Sequence, residues 1–177
     1  WSLMGGFVQL EESADEAAQR ILFELTGLQN VYMEQLHCFS AVNRDPGARV
    51  LSIAYSALIK LDEYSEQITS AYKAKWFPIQ KVPSLLFDHK KMLQLAKDHL
   101  KQRVLNHPVG FELLPTKFTL PQLQLLYEAI LEAPLDKRNF SKKILSLGIL
   151  KKLDEEEKES SRKGAFFYVF DRKKYQE

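Results

Sequence analysis

The sequence predicts an α+β protein of two consecutive domains, which we place at residues 1–108 and 109–177. Helix-capping patterns alternate with runs rich in β-branched and aromatic residues, which is the first indication of mixed secondary structure. A polar stretch that contains a proline and a glycine follows a helical pattern near residue 108, as expected of a boundary. Charge also differs between the parts, because residues 137–152 contain six lysines and arginines and no acid while the whole chain has a net charge of only +2.

The composition excludes several classes of protein. With 45% apolar and 27% charged residues the chain is too hydrophobic to be disordered, and seven glycines and seven prolines are too few for a fibrous protein. The single cysteine, Cys38, excludes a disulfide framework and indicates a reducing compartment. The longest apolar stretch, residues 50–59, is far shorter than the roughly 20 residues that span a bilayer. We therefore expect a cytoplasmic protein with no membrane partner, no metal and no cofactor.

The first domain is predicted to begin with an amphipathic helix. Ser13 and Glu16 form a capping-box pattern, and Gly27 lies where a left-handed residue ends a helix. Apolar residues between them recur at helical spacing and predict a buried face. They are Ala14, Ala17, Ala18, Ile21, Leu22 and Leu25.

Extended segments follow that helix. Residues 31–42 and 50–61 are rich in β-branched and aromatic side chains and predict two strands, joined by a turn at residues 45–47. A shorter strand is expected at residues 75–79. A second helix is expected after Pro83, with Leu86 among its apolar residues and its end near Val104.

The second domain carries two further helix starts. Thr119 and Gln122 form another capping box, and Asp136 is a plausible N-cap for a helix from Lys137 to about Leu147. Phe140, Ile144 and Leu147 are its predicted buried stripe. Residues 149–153 and 165–170 then predict two strands separated by a polar loop. A helix, a turn, a basic helix and a β-hairpin, in this order, are typical of a winged helix-turn-helix.

The basic helix and the hairpin loop have the residue types that bind duplex DNA. Lysine and arginine neutralise phosphates or reach guanine edges, asparagine suits adenine, and a wing touches the backbone or the minor groove. Two alternatives to DNA binding remain: either the basic residues form an ordinary solvated face of the helix, or the second domain binds a protein instead. The candidate DNA-binding residues are Lys137, Arg138, Asn139, Ser141, Lys142, Lys143, Arg162 and Lys163.

The segment from Gly6 to Leu28 has the most specific spacing in the chain. Its fixed positions are Gly6, Glu12, Arg20, Leu22, Glu24, Gly27 and Leu28. This pattern resembles the Nudix box, G-x5-E-x7-R-E-U-x-E-E-x-G-U with U aliphatic. The resemblance implies a Nudix-type α/β/α sandwich, and because the family places several strands before its box, it implies that those N-terminal strands precede Trp1 and are missing here.

Departures from the box bear on catalysis. Nudix hydrolases hold Mg²⁺ with clustered box glutamates, because this hard ion takes several carboxylate oxygens that bridge to a diphosphate. Ile21 and Leu25 occupy two of the clustered positions, Glu24 remains, and Glu12 alone cannot hold a metal. We therefore expect no catalytic residues and no enzyme activity, with an active MutT-like diphosphate hydrolase as the alternative. Arg20 and Glu24 then form either part of a binding site or an ordinary i, i+4 surface pair.

A degenerate Nudix box followed by a winged helix resembles the Nudix-related transcriptional regulators. In that family the Nudix domain senses a small molecule and the winged helix binds operator DNA. The resemblance extends over residues 44–46, 49–55, 86–89, 111–115, 118–120 and 136–140. It is closest to the Bacteroidetes members that respond to L-arabinose, while better-known relatives respond to ADP-ribose and control NAD metabolism. We therefore expect a repressor that binds double-stranded operator DNA as a homodimer, with L-arabinose favoured over ADP-ribose as effector.

The candidate effector-binding residues are Arg44, Asp45, Arg49, Glu24 and His89. A loop with two guanidinium groups and a carboxylate suits sugar hydroxyls or phosphates. Stabilisation of the turn is the alternative role of Asp45, and a structural hydrogen bond is the alternative role of His89.

Overall fold

The structure, a computed structural model, describes residues 1–59, 74–106, 113–157, 164–171 and 174. Contacts along the chain divide it into two compact units, Trp1–Asp98 and His99–Glu177. Residue 108, where the sequence places the domain boundary, lies outside the described residues, so that boundary stays a prediction.

Helix α1 spans Ala14–Thr26, and its ends confirm the capping signals. The Glu16 N–H donates to the Ser13 hydroxyl at 3.2 Å, and the Ser13 N–H donates to the Glu16 carboxylate at 2.8 Å. Gly27 ends the helix at φ +75°, where its N–H donates to the Phe23 carbonyl at 2.7 Å. This left-handed conformation favours glycine because it lacks a Cβ atom.

The first unit buries one face of α1, as the apolar spacing predicts. Ala17 and Leu22 are buried, and Leu22 forms a cluster with Leu28 and Val31. Thr26, also on α1, is 1% exposed and donates its hydroxyl hydrogen to the Leu22 carbonyl at 2.6 Å. The helix is therefore held by packing as well as by its caps.

Strands β1, Glu34–Phe39, and β2, Ser52–Ser56, form an antiparallel pair. They confirm the two predicted strands but are shorter at both ends. The strand expected at residues 75–79 is wrong: residues 74–78 form no regular element, and a 3₁₀ turn follows at Ile79–Lys81. Pro78 caps that turn, and a proline has no N–H to donate to a strand ladder.

Helix α2 spans His89–Asn106, so it begins later than the sequence suggested. Leu86, predicted to lie on its apolar face, precedes the helix and is 51% exposed. Residues up to Asp98 belong to the first unit and residues from His99 onward to the second.

The second unit has the order strand, helix, helix and hairpin. Its elements are β3 at Lys117–Thr119, α3 at Leu120–Leu131, α4 at Lys137–Ser146, β4 at Leu150–Glu157 and β5 at Ala165–Phe170. The sheet is antiparallel with β5 between β3 and β4. Both helix starts confirm the capping predictions, because Thr119 exchanges hydrogen bonds with Gln122 and the Asp136 carboxylate accepts the Asn139 N–H at 2.8 Å.

Three details of the second unit differ from the sequence expectation. Strand β3 was not predicted, and β4 continues to Glu157 instead of ending at Leu153. Leu147 is 45% exposed and not part of the buried stripe, because α4 ends at Ser146 and Gly148, at φ +69°, turns the chain. Phe140 and Ile144 are buried as predicted.

One core holds this unit together. Leu123 is fully buried and Phe118 is 1% exposed. The other buried members are Val104, Leu114, Tyr127, Phe140, Ile144 and Ile149. Within the described ranges, no helix is long and apolar enough to cross a bilayer.

Replacing Ile144 with alanine should lower the free energy of unfolding of the second unit by about 2–4 kcal/mol, because Ile144 is 3% exposed and alanine would leave a cavity. Urea denaturation followed by circular dichroism measures this. Leu145→Ala is the matched control, because Leu145 follows on the same helix and is 44% exposed. Equal midpoints for the two variants would contradict the packing described here.

Candidate effector and DNA-binding sites

Arg20 forms ion pairs with two acidic residues of the Nudix-like segment, Glu12 and Glu24. Its Nε and Nη2 atoms donate to the two carboxylate oxygens of Glu12 at 2.8 and 2.5 Å. Its Nη1 atom donates to both oxygens of Glu24 at 3.2 Å. The Arg20 hydrogen bonds lower the pKa of Glu12 to about 2. Both carboxylates are thus engaged by one guanidinium, and Glu24, whose side chain is 54% exposed, lies in the i, i+4 surface pair.

Ile21 and Leu25 lie on the apolar face of α1. A Cβ atom at Gly6 would lie only 2.8 Å from Ile21 Cδ1, so this side chain packs directly on the glycine backbone. Mg²⁺ needs several oxygen ligands, which two aliphatic side chains cannot supply. In the part of the chain that the structure describes, no group of three or more histidine, cysteine, aspartate or glutamate side chains is placed to hold a metal. The described residues of the segment do not fit a magnesium site.

Arg44 is buried and forms a bidentate ion pair with Asp88. Its Nε and Nη2 atoms donate to the two oxygens of Asp88 at 3.0 and 2.8 Å, and its Nη1 atom donates to the Ser52 hydroxyl at 2.7 Å. The side chains of Arg44 and Asp88 are only 4% and 13% exposed. The hydrogen bonds from Arg44 hold the pKa of Asp88 below its ordinary value. This bidentate pair joins the loop after β1 to the start of α2.

The other loop candidates have local partners. The Asp45 carboxylate accepts the Gly47 N–H at 2.7 Å, which is the turn-stabilising role. Arg49 is exposed and donates to the carbonyls of Ser40 and Ala41 at 3.1 and 3.3 Å.

Phe87 adopts a strained backbone conformation beside that ion pair. Phe87 has φ +48°, which costs a non-glycine residue roughly 1–2 kcal/mol. Neighbouring contacts hold it: the Leu86 N–H donates to the Trp1 carbonyl at 2.9 Å, and His89 Nδ1 accepts the Leu3 N–H at 3.0 Å. Burial lowers the pKa of His89. His89 thus makes a structural hydrogen bond, while Phe87 is 53% exposed.

These elements enclose a cleft of about 940 Å³ that lies entirely within the first unit. Its lining is formed by Ala41, Val42, Asn43, Arg44, Pro46, Phe87, Asp88, Lys90, Lys91 and Gln94. Of the predicted effector residues only Arg44 lines it. Phe87, Lys90 and Lys91 also line it and were not predicted, although an aromatic residue close to two lysines at a helix start is a readable signal in the sequence. Asn43 had no such signal.

Helix α4 presents its basic residues on two sides. Arg138 and Lys142 are exposed and lie one turn apart, opposite the buried Phe140 and Ile144, with Ser141 beside them. Lys137, at the first position of the helix, is also exposed. Asn139 and Lys143 are exposed too, but they border an apolar cleft of about 280 Å³ together with Leu105 and Leu147, among others.

The hairpin carries both signs of charge. Lys152 lies 3.2 Å above the centre of the Phe166 ring, and Lys117 pairs with Glu155. Strand β4 ends in the acidic run 154–157. Arg162 and Lys163, the predicted wing residues, lie outside the described residues.

A mixed first unit with a Nudix box, followed by a helix pair and a three-stranded wing sheet, defines a Nudix protein with a winged helix. Two family models match accordingly: the NUDIX domain over residues 1–96 and the NrtR DNA-binding winged helix domain over residues 110–170. The chain belongs to the Nudix family, and its second part matches the NrtR-type winged helix domain. The predicted α+β fold class is confirmed.

The curated relatives include a transcriptional repressor and a hydrolase. The chain is 33% identical over 159 residues to the ADPR responsive transcriptional repressor NtrR of Acinetobacter baylyi, covering 88% of this chain and 64% of the relative. It is 33% identical over 104 residues to the ADP-ribose pyrophosphatase of Methanocaldococcus jannaschii, covering 57% of each. The chain thus spans less than two thirds of either curated relative. The crystal structure of Shewanella oneidensis NrtR complexed with a 27mer DNA is similar at a TM-score of 0.79 and 28% identity, covering 99% of this chain and 82% of that one.

Asp88→Asn should lower the free energy of unfolding of the first unit by about 3 kcal/mol, because it leaves the buried Arg44 guanidinium without its counter-charge. Urea denaturation at neutral pH, followed by tryptophan fluorescence, measures this. Asp45→Asn is the matched control, since an amide oxygen also accepts the Gly47 N–H. Equal losses in the two variants would contradict the role of the pair.

The same pair predicts a pH dependence. The folded pKa of Asp88 is below its ordinary value, so the stabilisation is complete above the ordinary pKa and is lost as the pH falls through the folded one. The difference between the wild type and Asp88→Asn should therefore shrink in acid.

Proposed function

We propose that the chain is an effector-responsive transcriptional repressor that binds operator DNA through its winged helix and senses a small molecule with a non-catalytic Nudix domain. The observation that carries the proposal is the exposed face of α4 with Arg138 and Lys142, presented by a packed winged-helix unit. Arginine is suited to guanine edges and lysine to phosphates. The similarity to a DNA-bound NrtR and to an ADPR responsive repressor supports this function.

The contacts of α4 give its candidates different expected roles. Arg138 and Lys142 point away from the core and suit base edges or phosphates; the half-buried Ser141 beside them and Lys137 are expected as further phosphate contacts. Asn139 and Lys143 border the apolar cleft and are expected at the edge of the DNA contact. Arg162 and Lys163 remain proposed wing contacts.

Two effectors are considered. L-arabinose was favoured by the sequence resemblance, whereas the names of both curated relatives refer to ADP-ribose, which supports ADP-ribose for this chain. Effector binding would shift the population between DNA-binding and released conformations. Adding L-arabinose and ADP-ribose separately to the DNA complex tests both.

We also propose that the chain acts as a homodimer, so that two winged helices read two half-sites. With a net charge of only +2, one copy offers few phosphate contacts, and a second copy doubles them. Sedimentation of the DNA complex gives the stoichiometry.

Arg138→Ala should weaken binding to operator DNA by more than about 1 kcal/mol, because it removes an exposed guanidinium from the DNA-facing side of α4. Electrophoretic mobility shift on a duplex selected from a randomised pool measures this. Lys101→Ala is the charge-matched control, since Lys101 pairs with Glu132 at 2.5 Å. If Arg138→Ala binds as well as the wild type, α4 is a solvated face or a protein contact.

A Nudix hydrolase is the alternative, favoured by the similarity to an ADP-ribose pyrophosphatase. We expect no turnover of ADP-ribose with Mg²⁺, because Ile21 and Leu25 provide no metal ligand and Arg20 engages Glu12 and Glu24. Phosphate release after phosphatase treatment of the products measures turnover. Activity that is lost in Glu24→Gln and kept in Glu11→Gln would support the hydrolase instead.

A further inference from the structure

We propose that Gln124 and Glu128 of α3 are positioning residues for the DNA-facing helix α4, because together they hold the backbone of Leu135, the residue before the N-cap of that helix. This role rests on the proposed binding of DNA through α4. It adds two residues that were not among the sequence candidates. We expect neither side chain to touch DNA, since both act on the turn between the two helices.

The two side chains engage both backbone polar groups of Leu135. The Leu135 N–H donates to Glu128 Oε1 at 2.9 Å, and Gln124 Nε2 donates to the Leu135 carbonyl at 2.9 Å. Gln124 Nε2 also donates to Glu128 Oε1 at 2.9 Å, so the two side chains, one helical turn apart, hold each other in place. We call this closed set of hydrogen bonds among Gln124, Glu128 and Leu135 the Leu135 clamp.

The Leu135 clamp restrains the turn at the end nearest α4. Residues 132–136 join the two helices, and α3 ends at Glu132 in the left-handed conformation, at φ +55°. A residue other than glycine keeps such a conformation only where its surroundings impose it. The backbone fixed at Leu135 supplies part of that restraint at the far end of the turn. The turn therefore follows a defined path, and α4 begins at a defined place.

The start of α4 carries Arg138, the residue most suited to a base edge. The Asp136 carboxylate accepts the Asn139 N–H at 2.8 Å, so this N-cap directly follows the Leu135 clamp. Phe140 and Ile144 set the rotation of α4 by entering the core, while the clamp sets where its first turn lies against α3. Hydrogen bonds to bases need donor–acceptor distances of about 2.7–3.2 Å. A shift of that turn by roughly an ångström would therefore remove a base contact of Arg138.

The chemistry of Glu128 allows a conservative replacement. The hydrogen bonds from the Leu135 N–H and from the Gln124 amide hold the pKa of Glu128 below its ordinary value, so the group is charged at neutral pH. Both donors reach the same oxygen, Oε1. A glutamine at this position could accept both hydrogen bonds with its amide oxygen, whereas an alanine could accept neither.

Fluorescence anisotropy with the selected duplex and with an unrelated duplex of the same length tests the role. Glu128→Gln and Glu128→Ala remove the same negative charge, so they change the electrostatic attraction to DNA equally. We expect Glu128→Ala to bind the selected duplex at least about fivefold more weakly than Glu128→Gln, the smallest loss expected from one base contact. On the unrelated duplex the two variants should bind equally, because phosphate contacts dominate there. Equal binding of both variants to the selected duplex would overturn the role.

Coupling to Arg138 separates positioning from a general loss of stability. Arg138→Ala should weaken binding in the Glu128→Gln background and change it by less than about twofold in the Glu128→Ala background, because a displaced guanidinium has no base contact left to lose. Equal losses in the two backgrounds would overturn positioning.

Two further variants of α3 complete the test. If circular dichroism shows that Glu128→Ala is unfolded, Gln124→Ala takes its place in both measurements, since it removes the bond to the Leu135 carbonyl and leaves the Leu135 N–H with Glu128. Its loss on the selected duplex should be smaller. Leu125→Ala is the control and should bind as the wild type does, because Leu125 is 66% exposed and lies next to Gln124 on the same helix.

Hydrogen exchange of the Leu135 amide, followed by nuclear magnetic resonance without DNA, separates this inference from the proposed function. Exchange should be at least about tenfold faster in Glu128→Ala than in Glu128→Gln, because the amide loses its acceptor. If the wild type selects no duplex, DNA binding fails, while slow exchange in the wild type and Glu128→Gln still supports the Leu135 clamp. If the wild type binds DNA and Glu128→Ala matches Glu128→Gln, the positioning role fails and the function stands.

Discussion

A buried guanidinium requires a counter-charge, and this constraint organises the first unit. Arg44 satisfies it with both oxygens of Asp88 and with the Ser52 hydroxyl. The loop after β1, strand β2 and the start of α2 are thereby held in one arrangement. The strained Phe87 next to Asp88 and the cleft itself follow from that arrangement, because the position of the loop against α2 determines which side chains face each other.

The Nudix-like segment keeps the spacing of the box, while aliphatic side chains occupy two of its clustered glutamate positions. Gly6 still permits a close approach, but it is Ile21 that packs there, and Arg20 joins Glu12 and Glu24 into a surface network. The spacing that places a metal in an active hydrolase thus holds a loop and a helix together in this chain. This retained spacing with altered donors is the basis on which we propose a non-catalytic role for the domain.

In the second unit, capping residues and core packing orient the basic helix. Asp136 defines the start of α4, and Phe140 and Ile144 fix its rotation by entering the core. Because side chains repeat at 3.6 residues per turn, that rotation directs Arg138 and Lys142 outward. The same rotation places Asn139 and Lys143 at the apolar cleft, so the polar residues of α4 lie in two different environments.

The sequence by itself determined the local features, because each depends on residues a few positions apart. These features are both capping boxes, the helix end at Gly27, the strand pair, the buried residues Phe140 and Ile144 of α4, and the spacing typical of the family. The sequence-based predictions were wrong at residues 75–79 and at Leu147, and they did not include β3. The ends of helices and the pairing of strands depend on residues elsewhere in the chain, which local patterns do not show. Only the tertiary structure decided that Arg44 pairs with Asp88, 44 positions away, and so holds the cleft together instead of offering a free cation. A contact between distant segments leaves no periodic trace in the sequence, so only the fold shows that Asn43, Arg44 and Phe87 line one cleft.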